Sequence, residues 1–199
     1  MSLEPLVGWV GTLLVLSMSL PQVWRTCIRG QVAGVPAARA WVAVSVATMW
    51  LGYGLYGGGI IQVVLNSGVI ALNLALLTRL VRGVPTGGAA LVLAALALTV
   101  ALGESGGKVA VGSVGAVIGA GVYLPQLLAL RKHGPAGGVS ALSLWLQGAG
   151  AACWMVYGLL RSEVVVWSPN VVLIATTAWT LVLLSAAPRA RESAVPALV

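Results

Sequence analysis

The stretch Cys153-Trp154-Met155-Val156-Tyr157-Gly158-Leu159-Leu160-Arg161-Ser162-Glu163, followed by Asn170, has an echo 104 positions earlier. There the chain reads Met49-Trp50-Leu51-Gly52-Tyr53-Gly54-Leu55-Tyr56-Gly57-Gly58-Gly59, followed by Asn66. Pro125-Gln126 stands over Pro21-Gln22, and Trp145 over Trp41, at the same offset. Between 8–66 and 112–170, seventeen of fifty-nine positions are identical without a gap. In a chain rich in Ala, Gly, Val and Leu some identities arise by chance. Two Trp pairs, a Tyr pair, an Asn pair and a Pro-Gln pair do not. A fixed-period echo constrains the whole architecture: one unit is used twice, read in the same direction.

The surface is not built for water. Only 8% of the 199 residues are charged and 59% are hydrophobic, where soluble domains carry about 25% charge. Long apolar runs with short charged or Gly-rich breaks indicate an all-α polytopic membrane protein, with the lipid bilayer as its first partner. The net charge of +7 invites a nucleic-acid reading. The basic residues sit singly in the breaks, with no aromatic-interleaved stripe, so they read as orientation signals and no nucleic acid is expected. The first apolar run has no basic leader and carries repeat residues, so it reads as a span and not as a cleaved signal. Cys27 and Cys153 should lie at different depths, which disfavours a disulfide.

Seven spanning helices are predicted, roughly over 6–28, 38–56, 60–82, 87–103, 109–131, 141–160 and 164–186, each near the ~20 residues a bilayer requires. With the N-terminus outside, the inner breaks hold Arg25, Arg29, Arg39, Arg79, Arg82, Arg131, Lys132, Arg189 and Arg191, and the outer ones Lys108 and Arg161. Nine against two is a strong positive-inside bias, with the C-terminus in the cytoplasm. The odd helix number follows from the repeat. Three helices that begin outside end inside, and a second copy in the same orientation must begin outside again, so one extra crossing is needed. The domains expected are a triple-helix repeat over 1–84, a linker helix over 85–106, a second triple-helix repeat over 107–187 and a cytoplasmic tail over 188–199. Parallel repeats related by an axis along the membrane normal are a known transporter plan, with the solute site at the repeat interface near midplane.

The Trp and Asn pairs fall at that level. Trp50 is eight residues before Gly58 and Asn66 eight after it. At 1.5 Å per residue both lie ~12 Å below the outer turn. Trp154 and Asn170 do the same around Ser162. A single Asn in a spanning helix reads as helix–helix glue. A duplicated Asn pair level with a duplicated Trp pair reads as a pocket, in which indole faces stack on ring C–H groups and amides bond hydroxyls. Gln62 and Asn73 extend the Asn66 stripe along one helix face and join the substrate-binding candidates. Pro21 and Pro125 each remove a helical hydrogen bond, with Gln22 and Gln126 beside them. A Pro bend is either a static kink or a hinge; two at equivalent positions make the hinge an equal reading. Tyr53 and Tyr157 stand a turn outward of the Trp residues, and Arg161 and Glu163 follow only in the second repeat. They read as an outer gate or as an interfacial belt with solvated charges.

Absences sharpen this. There is no Asp, and the four Glu all fall in breaks or tails. No carboxylate or His is placed within the membrane, so proton coupling is disfavoured. No nucleophile set, metal-spaced cluster or phosphate loop occurs, so neither an enzyme, a metal nor a cofactor is expected. The pocket as named is net neutral, which disfavours charged cargo.

With Leu20-Pro21-Gln22, Leu124-Pro125-Gln126, the block from Cys153 to Glu163 and Asn170-Val171-Val172 in hand, the chain resembles the SWEET / SemiSWEET sugar carriers of the PQ-loop superfamily. The resemblance covers nearly everything except the linker helix and tail. It implies triple-helix bundles packed 1-3-2. It implies a sugar pocket on Trp50, Asn66, Trp154 and Asn170, a hinge on Pro21, Gln22, Pro125 and Gln126, and an outer gate on Tyr53, Tyr157, Arg161 and Glu163. The first repeat departs from the pattern, with Gly57 and Gly59 in place of the gate Arg and acid. The expected function is uncoupled sugar transport by alternating access in a plasma membrane. Transport of amino acids or another polar metabolite, and a membrane cargo receptor or scaffold, stay open beside it. Homo-oligomerisation is optional, since both halves are in one chain.

Overall fold

The computed structural model describes residues 2–32, 37–81, 86–133 and 141–186, without the side chains of 122–133, 141 and 186. Arg82, Arg189, Arg191 and the expected tail lie outside the described residues. So do the side chains of Pro125, Gln126, Arg131 and Lys132. Every regular element described is helical, as it must be where apolar side chains leave the backbone no water to bond.

Among the described residues the α-helical elements follow in order: α1 (Leu3–Val23), α2 (Ala37–Tyr53), α3 (Ile60–Leu80), α4 (Thr86–His133), α5 (Ala141–Leu160) and α6 (Val164–Ala186). Glu4 stands in the first turn of α1, where the helix dipole favours a negative charge. Pro21 lies inside α1, and the five residues after the helix, Trp24–Ile28, are wound as a wider π-turn. Beyond α2 the turn Gly54–Gly58 leaves helical geometry at Tyr56 and Gly57. Gly57 (φ 111°) and Gly59 (φ 105°) then reverse the chain into α3 with backbone angles that side chains resist. Among the described residues four stretches are long and apolar enough to cross a membrane: Leu3–Ile28, Ile60–Leu80, Thr86–Gly121 and Val164–Ser185.

Helices over 87–103 and 109–131 were expected either side of a break; in the structure the chain is helical along Thr86–His133 except at Gly107 (φ 60°, ψ −154°), where one helix ends and the next begins. A straight helix of that length would reach ~72 Å. Instead the chain folds back. Along the arm 86–106, Gly88 lies beside Trp41, Thr99 beside Gly52 and Gly103 beside Tyr56. Along the arm 108–133 the order inverts: Gly112 lies beside Tyr53, Gly115 beside Trp50 and Gly119 beside Val46. The two arms therefore run in opposite directions past the same helix, and the reversal needs one glycine and no loop.

α3 packs against both α1 and α2, and α6 packs against both α4 and α5. Each third helix is the middle member of its triple. The triples meet crosswise, α1 on α5 and α2 on α4. A core of Tyr53, Ile61, Leu65, Val111, Trp154, Tyr157 and Val166 fills that junction.

Candidate solute-binding cavity

Glycines at the crosswise contacts decide where the aromatic pairs sit. Gly8 and Gly11 of α1 face Tyr157 and Trp154 of α5: a methyl on Gly8 would come within 2.8 Å of the Tyr157 ring, and one on Gly11 within 3.1 Å of the Trp154 indole nitrogen. Gly112 and Gly115, the residues 104 positions on, face Tyr53 (2.7 Å) and Trp50 (3.7 Å) of α2. Each repeat thus seats the Trp–Tyr pair of the other. Within each pair the rings meet edge-on, Trp50–Tyr53 at 5.4 Å and Trp154–Tyr157 at 5.1 Å between centroids, an arrangement the ring quadrupoles favour. The echoed Gly8-x-x-Gly11 and Gly112-x-x-Gly115 were visible in the sequence and were not singled out there.

Below the tyrosines lies a cavity of about 350 Å³, within the range of small-solute sites. Trp50, Asn66, Trp154 and Asn170 all line it, and Gln62 joins them. Asn73 does not line the cavity; its amide donates to Val69 O of its own helix (2.8 Å). Asn66 and Asn170 behave alike: each spends one N–H on the carbonyl four residues back, Gln62 O (2.8 Å) and Val166 O (2.7 Å). Each keeps its side-chain oxygen, an acceptor, for a guest. Asn66 also reaches Gln62 Oε1 (3.3 Å). The Trp154 N–H has no partner among the described residues, its edge pressed against Gly11. Pro169, absent from the first repeat, lines the same wall, and Thr176 bonds its own helix at Leu173 O (3.0 Å).

The cavity is closed at one end. Tyr53, Val111 and Tyr157 are wholly buried above it. Beyond them stands an ion network. Glu163 accepts a short hydrogen bond from the Tyr53 hydroxyl (2.5 Å) and pairs with Lys108 Nζ (2.7 Å) and Arg161 Nε (3.2 Å). Arg161 reaches on to Glu4 (2.9 Å) and lies over the Tyr157 ring at 5.5 Å. All four gate residues named from the sequence meet here. Lys108 and Glu4 were missed, because only folding brings the α4 turn and the start of α1 beside residue 163. Burial works to raise the Glu163 carboxyl, and the hydrogen bonds from Lys108 and Tyr53 with the charge of Arg161 outweigh it, holding it below the usual carboxylate range.

Towards the other end the lining runs down one face of α2, through Ala47, Val46, Ala43 and Val42 to Arg39. The expectation of a net-neutral pocket is corrected here: Arg39 lines the cavity, because a helical face repeats every three to four residues and carries the wall eleven residues below Trp50. At that end Pro21 is exposed and Gln22 half-buried, neither lining the cavity, and the Pro21 carbonyl accepts from Arg25 Nε (3.3 Å).

Residues 109–167 match the family model described as PQ loop repeat. No curated protein matches the chain. The PQ-loop match spans the second arm of α4, all of α5 and the first residues of α6. It holds Pro125, Gln126, Trp154, Tyr157, Arg161 and Glu163, and stops short of Asn170. It supports the PQ-loop superfamily, and the first repeat is tied to it by the 104-residue echo and the reciprocal glycine seats.

Proposed function

We propose that the protein is an uncoupled carrier for small sugars, of the two-repeat SWEET / SemiSWEET type. Its two triple-helix bundles rock against each other about Pro21 and Pro125. One observation carries this reading: Trp50, Asn66, Trp154 and Asn170, two from each repeat, line a single cavity. Members of the PQ-loop family are in general transporters or receptors, and among the described residues no carboxylate or histidine lines the cavity to accept a coupling proton. The reading takes the two arms of α4 as separate crossings, giving seven spans as 3+1+3. It puts the Glu163 end outside a plasma membrane, so that the gate of Tyr53, Tyr157, Arg161 and Glu163 is shut outward while the cavity extends inward. One chain forms a complete pathway, and association into oligomers is optional.

Uptake of labelled glucose and sucrose into proteoliposomes tests it. Trp154→Ala and Asn170→Ala are each expected to reduce flux at least about fivefold, since each removes a stacking face or a hydroxyl acceptor worth ~1–3 kcal/mol. No uptake, or uptake that neither change affects, removes sugar transport.

A further inference from the structure

Arg39 is the sole charged residue of the described cavity lining. Its side chain is exposed, and among the described residues it has neither an ion-pair nor a hydrogen-bond partner. The described acids cannot neutralise it: Glu4 and Glu163 belong to the network that closes the opposite end, and Glu104 bonds Tyr56 beside it. The start of α2 adds to its field. Arg39 is the third residue of that helix, whose first turn holds no acidic residue, so the positive end of the helix dipole and the guanidinium lie at one mouth. A mouth of one sign between apolar walls focuses its field and concentrates counter-charged solutes. A basic residue kept only to anchor the helix at a headgroup would have no cause to stand on the cavity face; the Arg25 and Arg79 side chains, also exposed, do not. The second repeat has Ser143 at the equivalent position, so the charge is one-sided.

We propose that Arg39 makes the cavity selective for small hydroxylated solutes that carry a carboxylate, such as sugar acids, over their neutral counterparts. The proposal rests on the carrier reading for the identity of the site. The guanidinium presents a planar fork matched to a carboxylate. It stands at the mouth, about three turns of α2 from the Trp and Asn level, so it captures the anion as it enters, before the hydroxyls reach Asn66 and Asn170. A residue with this role changes apparent affinity and leaves maximal flux nearly unchanged.

Glucose and glucuronate differ by one carboxylate and serve as the probes. Both are measured as proteoliposome counterflow and as equilibrium binding to the purified protein in detergent. Wild-type protein is expected to favour glucuronate roughly two- to fivefold in apparent KM and Kd, the scale of one solvent-exposed charge pair. Arg39→Gln abolishes the preference with maximal flux little changed, Arg39→Lys keeps part of it, and added salt weakens it. Equal or better handling of glucose by wild-type protein overturns the proposal, as does a preference that survives Arg39→Gln. Arg39-dependent glucuronate binding without flux would leave the assignment standing and sink the carrier. Glucose flux without any glucuronate preference would do the reverse. Neither binding nor flux of either probe would sink both.

Discussion

Lys108 and Glu163 meet at 2.7 Å, fifty-five residues apart in the chain, and Lys108 Nζ also reaches the carbonyl oxygen of Gly57 at 3.4 Å. Gly57 is the position at which the second repeat has Arg161. The turn between the arms of α4 therefore lends the first repeat the cation it lacks, and Glu163 is held from both sides of the pseudo-symmetric interface.

That bridge should govern closure. Glu163 is 9% exposed and bonded by three partners, so Glu163→Gln leaves Lys108 and Arg161 short of their counter-charge at a cost of ~2–4 kcal/mol to the closed end. Lys108→Gln, at a residue 32% exposed, should cost less. A Val166→Cys reporter inside the cavity, in a background without Cys27 and Cys153, measures the result. Labelling by an impermeant maleimide added at the Glu163 end should rise tens-fold with Glu163→Gln and several-fold with Lys108→Gln. Unchanged labelling would show that the tyrosines close this end without the ions.

The same network sets a pH window. The Glu163 carboxyl is held below the usual carboxylate range in the closed state. Its contribution is therefore complete at and above the ordinary glutamate value of ~4.3 and fades as pH falls through the lowered value. Reporter labelling, divided at each pH by that of a fully exposed cysteine to remove the loss of thiolate, should stay flat from neutral pH to about 5, then climb under stronger acid. A rise already between pH 7 and 6 would assign the latch to another group.

Gly107 carries the reversal of α4. A methyl there would meet nothing within 4 Å, so the cost of Gly107→Ala is backbone strain alone at φ 60°. We expect ~1–3 kcal/mol of destabilisation, read as a lower thermal transition of the detergent-solubilised protein. Gly87→Ala, where space is also open and φ is ordinary, should leave the transition unchanged or raise it slightly.

The reciprocal seats predict matched defects. Gly8→Ala would press on Tyr157 and Gly112→Ala on Tyr53, at 2.8 and 2.7 Å. Each should destabilise by ~1–3 kcal/mol through overpacking, and each should raise reporter labelling from the Glu163 end. A defect in one and not the other would mean that the repeats close independently.

Much of this architecture could be read along the chain. The 104-residue echo, the helices and the common depth of Trp50, Asn66, Trp154 and Asn170 follow from helical rise and apolar run length, which act within one segment. The four residues do share a cavity, while Asn73, on the same helix as Asn66, falls outside it. Tertiary structure alone decided the partners across segments. Gly8 meets Tyr157 and Glu4 meets Arg161 because α1 packs on the second repeat's α5 and leaves α2 to α4. Gly107 turns α4 back within a single residue, and that turn delivers Lys108 to Glu163. Arg39, read from the sequence as an orientation charge, proves to stand on the cavity wall. Periodicity states which residues share a face of a helix, whereas what the face meets depends on how helices distant in sequence rotate and cross, and that is settled only when their side chains pack.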